Sequence, residues 1–177
     1  MKADRDFIEK YLKVYSETQG VLPERLEEFG ERYREQGHLT QDQLYEIAYD
    51  SSTRSAYHVR KNPEERCRTV TRNVLEVEDD FSKITMLCGL KGFKAPTASC
   101  ILAALDPERH AVVDTRVWAS LERLDYLEGR KETFGPPDYV KMMQPIRKIA
   151  EKTGYSVVKV GYALFAHDFD VREGTLH

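Results

Sequence analysis

The sequence predicts an all-α fold of nine or ten helices, and three observations carry that prediction. Apolar residues recur at three-and-four spacing along nearly the whole chain. No run alternates polar and apolar residues for long enough to build a sheet. Capping residues, glycines and prolines punctuate the periodic stretches where helices are expected to start and stop.

Taken in order, Phe7, Ile8, Tyr11, Leu12 and Tyr15 make a first apolar stripe, with Gly20 as its expected stop. Leu22, Leu26, Phe29 and Tyr33 make a second, entered through Pro23 and ended near Gly37. Thr40 and Gln43 form a capping box before Leu44, Ile47 and Ala48. Residues 50–62 lose periodicity and read as a polar connector. Asn62 and Pro63 then restart a helix with acids in its first turn and Cys67, Val70 and Val74 inside. Helices are predicted over residues 81–89 and 95–105, the second ended by Pro107. Residues 110–113 are too short for more than an extended connector, and Asp114 opens a helix over 114–124. A loop over 129–137 leads to a long helix containing Pro145, closed by Gly154. Ser156 caps the last helix. The expected organisation is one helical unit over 1–177, with room for two lobes.

Composition narrows the function classes. Hydrophobic residues make up 41%, ordinary for a globular protein. No apolar run approaches the ~20 residues that span a bilayer. Residues 1–6 lack the apolar core of a secretory leader, so the expected location is cytoplasmic, in contact with the nucleoid. Cys67, Cys88 and Cys100 are odd in number and widely spaced, which gives neither a disulfide framework nor a zinc site. His38, His110, His167 and His177 are too scattered for metal binding, and no cofactor motif is present. The net charge of −3 is unevenly spread: residues 51–100 carry nine basic and six acidic side chains. Arg54, Arg60, Lys61, Lys91 and Lys94 belong to that excess. A local basic face binds a polyanion even on an acidic protein, although a solvated helix face explains the same charges.

The middle of the chain carries the most specific signal. Leu90-Lys91-Gly92-Phe93-Lys94 joins two helices. Gly92 allows a left-handed backbone and close approach to a partner, and Phe93 anchors the turn. The helix beginning at residue 95 offers unpaired N–H groups at its positive end, where a phosphate fits between Lys91 and Lys94.

The stretch 90–99, continuing through Ala95-Pro96-Thr97-Ala98-Ser99, resembles the hairpin of the helix-hairpin-helix DNA glycosylase superfamily. That superfamily includes endonuclease III-like and MutY-like enzymes. In it the hairpin runs leucine-proline-glycine-hydrophobic-glycine, then two residues, then threonine-alanine. An essential aspartate follows about twenty residues later, and Val112-Val113-Asp114 stands at the matching distance. The resemblance covers residues 81–124. It implies double-stranded DNA bearing a damaged or mismatched base as partner. It also implies Asp114 as the catalytic residue and Lys91, Gly92, Phe93, Lys94 and Thr97 as hairpin contacts. Arg54, Arg60 and Lys61 would add backbone contacts. Two departures stand out. Lys94 replaces the second glycine, and Pro96 stands where bifunctional members carry a nucleophilic lysine. The implied enzyme is therefore monofunctional.

Cleaving an N-glycosidic bond builds positive charge on the sugar, which one carboxylate stabilises while it orients or activates water. Asp114 also sits where a helix N-cap is expected, and capping alone explains an aspartate there. Tyr57 and His58, adjacent rings in the irregular basic segment, are candidates to line the base pocket or to fill the gap left by an extruded base. The residues alone leave open two other classes: a non-catalytic DNA-binding hairpin module and a protein–protein adaptor.

Overall fold

The computed structural model describes residues 1–175, with side chains through Arg172; His177 lies outside the described residues. Among these residues the chain forms nine α-helices and two short 3-10 helices. Helix α1 (Arg5–Thr18) starts where the Asp4 carboxylate accepts the Phe7 N–H at 2.9 Å, and it buries Phe7, Ile8, Tyr11 and Tyr15. Helix α2 (Leu22–Gln36) carries proline in its first turn and ends on left-handed Gly37. The Thr40–Gln43 capping box opens α3 (Gln41–Ser51). A 3-10 helix (Ala56–Lys61) leads to α4 (Glu64–Asn73), and a second (Val74–Glu76) leads to α5 (Asp80–Cys88), capped by Asp79.

Helix α6 (Ala95–Leu105) is the centre of the molecule. Every residue in it except Pro96 is buried, and it packs against α2, α3, α5 and α8. An apolar helix with small residues at Ala98, Ser99, Ala103 and Ala104 allows that close approach on several sides. The backbone carbonyl of Ala104 lies where a side chain on Gly30 of α2 would stand, at 2.5 Å from a Cβ built there. Helices α7 (Thr115–Arg123), α8 (Pro136–Thr153) and α9 (Val157–Thr175) complete the fold. Helix α9 lies along α1 and also packs on α7, so the first and last helices of the described residues pair with each other. At that seam the fully buried Asp168 receives Arg116 at 3.4 Å, Arg172 at 2.8 Å and Arg123.

Three sequence expectations need correction. Gly20 does not close α1; the helix ends at Thr18, with Gln19 as its C-cap, whose N–H bonds the Tyr15 carbonyl. Residues 56–61 are not an irregular connector but a 3-10 helix burying Ala56 and Val59. Asn62 does not cap α4. Pro63 holds the N-cap position without a side-chain bond, because the Asn62 carboxamide is committed elsewhere. No helix among the described residues is long and apolar enough to cross a membrane.

Candidate active site

The hairpin is built from both sides. Gly92 has φ +91°, and a Cβ there would stand 2.8 Å from Val59 Cγ2 and 3.0 Å from the Val59 nitrogen. Glycine is therefore required twice over, by the left-handed turn and by the close approach of the 3-10 helix. Asn62, 3% exposed, locks the two segments together. Its Oδ1 accepts the Lys91 N–H at 2.9 Å, and its Nδ2 donates to the carbonyls of Lys91 at 2.9 Å and Val59 at 3.0 Å. Phe93 is buried beneath the turn, as its anchoring role requires. Lys91 and Lys94 are exposed on either side of Gly92, and α6 begins after Lys94 without a side-chain cap. The N–H groups of its first turn are left for water or a ligand.

Asp114 is placed by two neighbouring helices. The Ser99 hydroxyl on α6 accepts the Val113 N–H at 3.0 Å, which pins the extended connector to the central helix one residue before Asp114. On the other side Gly161 of α9 lets the connector in; a Cβ there would meet the Ala111 Cβ at 2.8 Å. The Asp114 side chain then caps α7, accepting the Val117 N–H at 2.9 Å. Burial pushes the Asp114 carboxyl above the usual range, with the charge of Asp168 adding to the rise. The N–H groups of Val117 and Arg116 and the Arg116 guanidinium oppose it.

Asp114 is half-buried and faces a cleft of about 440 Å³. Tyr15, Tyr162 and Phe165 form its aromatic side, with Tyr15 and Tyr162 stacked at 4.8 Å between ring centres. Pro96 and Cys100 of α6 and Val112, Val113 and Val117 enclose Asp114. Gln19, Ser51 and the Arg25–Asp50 ion pair, 3.0 Å apart, also line it. Burial pushes the Cys100 thiol up to about 12, so it stays protonated and is no nucleophile. A buried carboxylate at the wall of a cleft with an aromatic side is suited to stabilise a cation that develops beside it.

The sequence-derived residues fall into three groups. Asp114 and Pro96 share the cleft. Lys91, Gly92, Phe93 and Lys94 form the hairpin, against which the 3-10 helix with Arg60 and Lys61 is fastened through Asn62 and Val59. Arg54 is exposed just before that helix. Arg60 is engaged by Asp42 and lies over the Tyr45 ring, while the Lys61 ammonium lies 5.4 Å from the Tyr57 ring centre. The Thr97 side chain is 6% exposed and bonded to the Ser51 hydroxyl at 3.1 Å, so only its backbone N–H remains for a phosphate. Tyr57 and His58 do not line the cleft; Tyr57 is 56% exposed, with its ring against His58. Sequence reasoning missed Asn62, Ser99, Gly161 and the Tyr15–Tyr162 pair.

The all-helical architecture is similar to that of a solved DNA glycosylase/lyase. Among solved structures, the chain aligns over 96% of its length with an 8-oxoguanine glycosylase/lyase from Methanocaldococcus jannaschii, bound to a 15mer DNA containing 8-oxoguanine. The match covers 90% of that protein, with a TM-score of 0.51 and 15% sequence identity. No protein-family model and no curated protein matches the sequence.

Proposed function

We propose that the protein is a monofunctional DNA glycosylase that hydrolyses the N-glycosidic bond of a damaged or mismatched base in double-stranded DNA. The observation that carries this reading is the placement of Asp114 at the wall of an aromatic cleft beside the first turn of the hairpin's second helix. The first-turn N–H groups of α6 hold a backbone phosphate, with Lys91 and Lys94 adding charge. The 3-10 helix adds contacts through Arg54, Arg60 and Lys61. Tyr57, exposed beside the hairpin, fills the space left in the duplex. The extruded base enters the cleft, and extrusion costs least for a mispaired or damaged base, which supplies part of the selectivity.

In the cleft the sugar faces Asp114. As the base leaves, positive charge grows on the sugar, and the ionised carboxylate stabilises it while orienting the attacking water. The structural neighbour is a glycosylase/lyase. Pro96 offers no amine for a Schiff base at the position matching the superfamily's lysine, so the reaction ends at an intact abasic site. Work on chromosomal DNA places the protein at the nucleoid.

The test is single-turnover release of bases from duplexes carrying uracil, a thymine mismatch, 8-oxoguanine, hypoxanthine or alkylated purines. Wild type should release at least one base and leave a strand that breaks only on alkali treatment, and Asp114→Asn should lose release while still binding duplex. Release from none of them, with duplex binding intact in both proteins, would make this a DNA-binding hairpin module in which Asp114 is only a helix cap.

A further inference from the structure

The cleft beside Asp114 is not the molecule's only large hollow. A second, of about 860 Å³, lies between the start of α2, the end of α6 and the start of α9. The two share only two lining residues, Tyr15 of α1 and Tyr162 of α9. Their stacked rings are therefore the partition between the hollows, braced by Phe165 edge-on to Tyr15 at 5.7 Å.

Both tyrosines are only 6% exposed, yet neither hydroxyl has a hydrogen-bond partner among the described residues. A buried phenol normally finds a partner, and one left open to a cavity is a position for a ligand's polar atom. Several other polar groups around the cleft are already engaged. Ser51 bonds Thr97, Arg25 pairs with Asp50, and Asp114 accepts the Val117 N–H. Burial raises both phenols above their ordinary range, Tyr15 further through the charge of Asp114, so both keep their protons and remain donors. What two neutral donors beside an aromatic wall lack is an acceptor. Among nucleobases, the acceptor that projects furthest from the ring edge is a carbonyl oxygen.

We infer that the Tyr15–Tyr162 pair is the specificity-determining wall of the base pocket, its phenol hydroxyls donating to the carbonyl oxygens of an oxo-bearing base held beside Asp114. This rests on the glycosylase reading. Carbonyl-free bases such as 1,N6-ethenoadenine or 3-methyladenine offer only ring-nitrogen acceptors, which lie closer to the ring and meet the two phenols less well, and are disfavoured.

The test is the double variant Tyr15→Phe/Tyr162→Phe, which removes two oxygen atoms and keeps the ring stack. Single-turnover release is measured from duplexes carrying uracil, hypoxanthine, 8-oxoguanine, 1,N6-ethenoadenine or 3-methyladenine. In parallel, equilibrium binding is measured to duplexes carrying the same bases on an uncleavable 2′-fluoroarabino sugar. Wild type should favour the oxo bases in one or both assays. The double variant should lose that preference by about tenfold or more, with the thermal midpoint little changed. A preference unaltered in the double variant, or no preference in wild type, overturns the inference even where base release stands. Release by no protein, with a binding preference that the variant abolishes, overturns the catalytic reading and keeps the pocket assignment. Absence of duplex binding removes both.

Discussion

Asn62 offers the sharpest test of how this fold holds its hairpin. Its carboxamide makes three hydrogen bonds from a 3% exposed position, and two of them reach the backbone of Lys91, the residue before the glycine of the turn. Asn62→Ala deletes all three and leaves the Lys91 N–H and carbonyl without their partner. At ~0.5–1.5 kcal/mol for each bond, the loss should be about 2–4 kcal/mol. For a chain of this size that corresponds to a drop of roughly 5–12 °C in the thermal midpoint. Asn62→Asp separates the parts of the effect. The carboxylate can still accept the Lys91 N–H, but it places negative charge against two carbonyl oxygens and is expected to be no more stable than alanine. Urea unfolding gives the free energy, and fluorescence anisotropy of a labelled duplex at fixed salt gives the affinity. Because the lost bonds orient the hairpin, duplex affinity should fall under conditions where both variants are still fully folded. Asn62→Ala with stability within 0.5 kcal/mol of wild type and unchanged affinity would show that the hairpin is held by other means, and the reasoning would be wrong.

Four further outcomes are expected. Asp114 has a folded pKa above its unfolded one, so its stabilising contribution is complete below the unfolded value near 3.9 and is lost as pH rises through the folded value. Asp114→Asn keeps a capping side chain and should therefore raise, or at least not lower, the urea midpoint at pH 7, whereas Asp114→Ala should lose about 1 kcal/mol of capping against that gain. His110 is fully buried and its pKa is pushed down to about 4, chiefly by burial, with its Nδ1 on the Tyr139 hydroxyl and its Nε2 unpartnered. The unfolded chain then binds a proton between pH 6.5 and about 4 that the folded chain refuses; stability should fall across that window by up to about 3 kcal/mol, and urea midpoints of His110→Gln should show a flatter profile. Gly92→Ala should cost about 1–2 kcal/mol for the left-handed turn, plus the clash with Val59, read by the same unfolding assay. Pro96→Lys places an amine in the cleft with Asp114 and should allow borohydride trapping of the protein on a duplex whose base it releases, which wild type should not.

The parts of the fold legible in the sequence are those set by neighbours along the chain. The Thr40–Gln43 box, the left-handed Gly37 and Gly154 and the capping aspartate at 114 are all decided within a turn of helix. The hairpin is legible for the same reason. Asn62 shows where local reading fails. An asparagine before proline and two glutamates is a good start signal, yet its partners lie 29 residues away on the hairpin, and tertiary bonds outweigh the cap. The segment around Tyr57 likewise has no helical period of its own. It becomes a 3-10 helix because Ala56 and Val59 are buried and the hairpin closes over Val59.

The site followed a different rule. Tyr15 belongs to an apolar helical stripe, and the stripe is real: the ring is buried against Tyr162 and Phe165. Burial of the ring, however, says nothing about where its hydroxyl goes, and that depends on a helix almost 150 residues later. Asp114 shows the complementary case. Capping and chemistry draw on the same geometry, because the Val117 N–H that satisfies the cap also fixes the carboxylate toward the cleft. Burial works against its ionisation while the start of α7 and Arg116 work for it. A carboxylate held in that balance gains more from a cation forming beside it than a solvated one would, since burial has already stripped it of much of its hydration. The cap thus fixes where the acid points, and the aromatic wall sets how strongly its charge is felt.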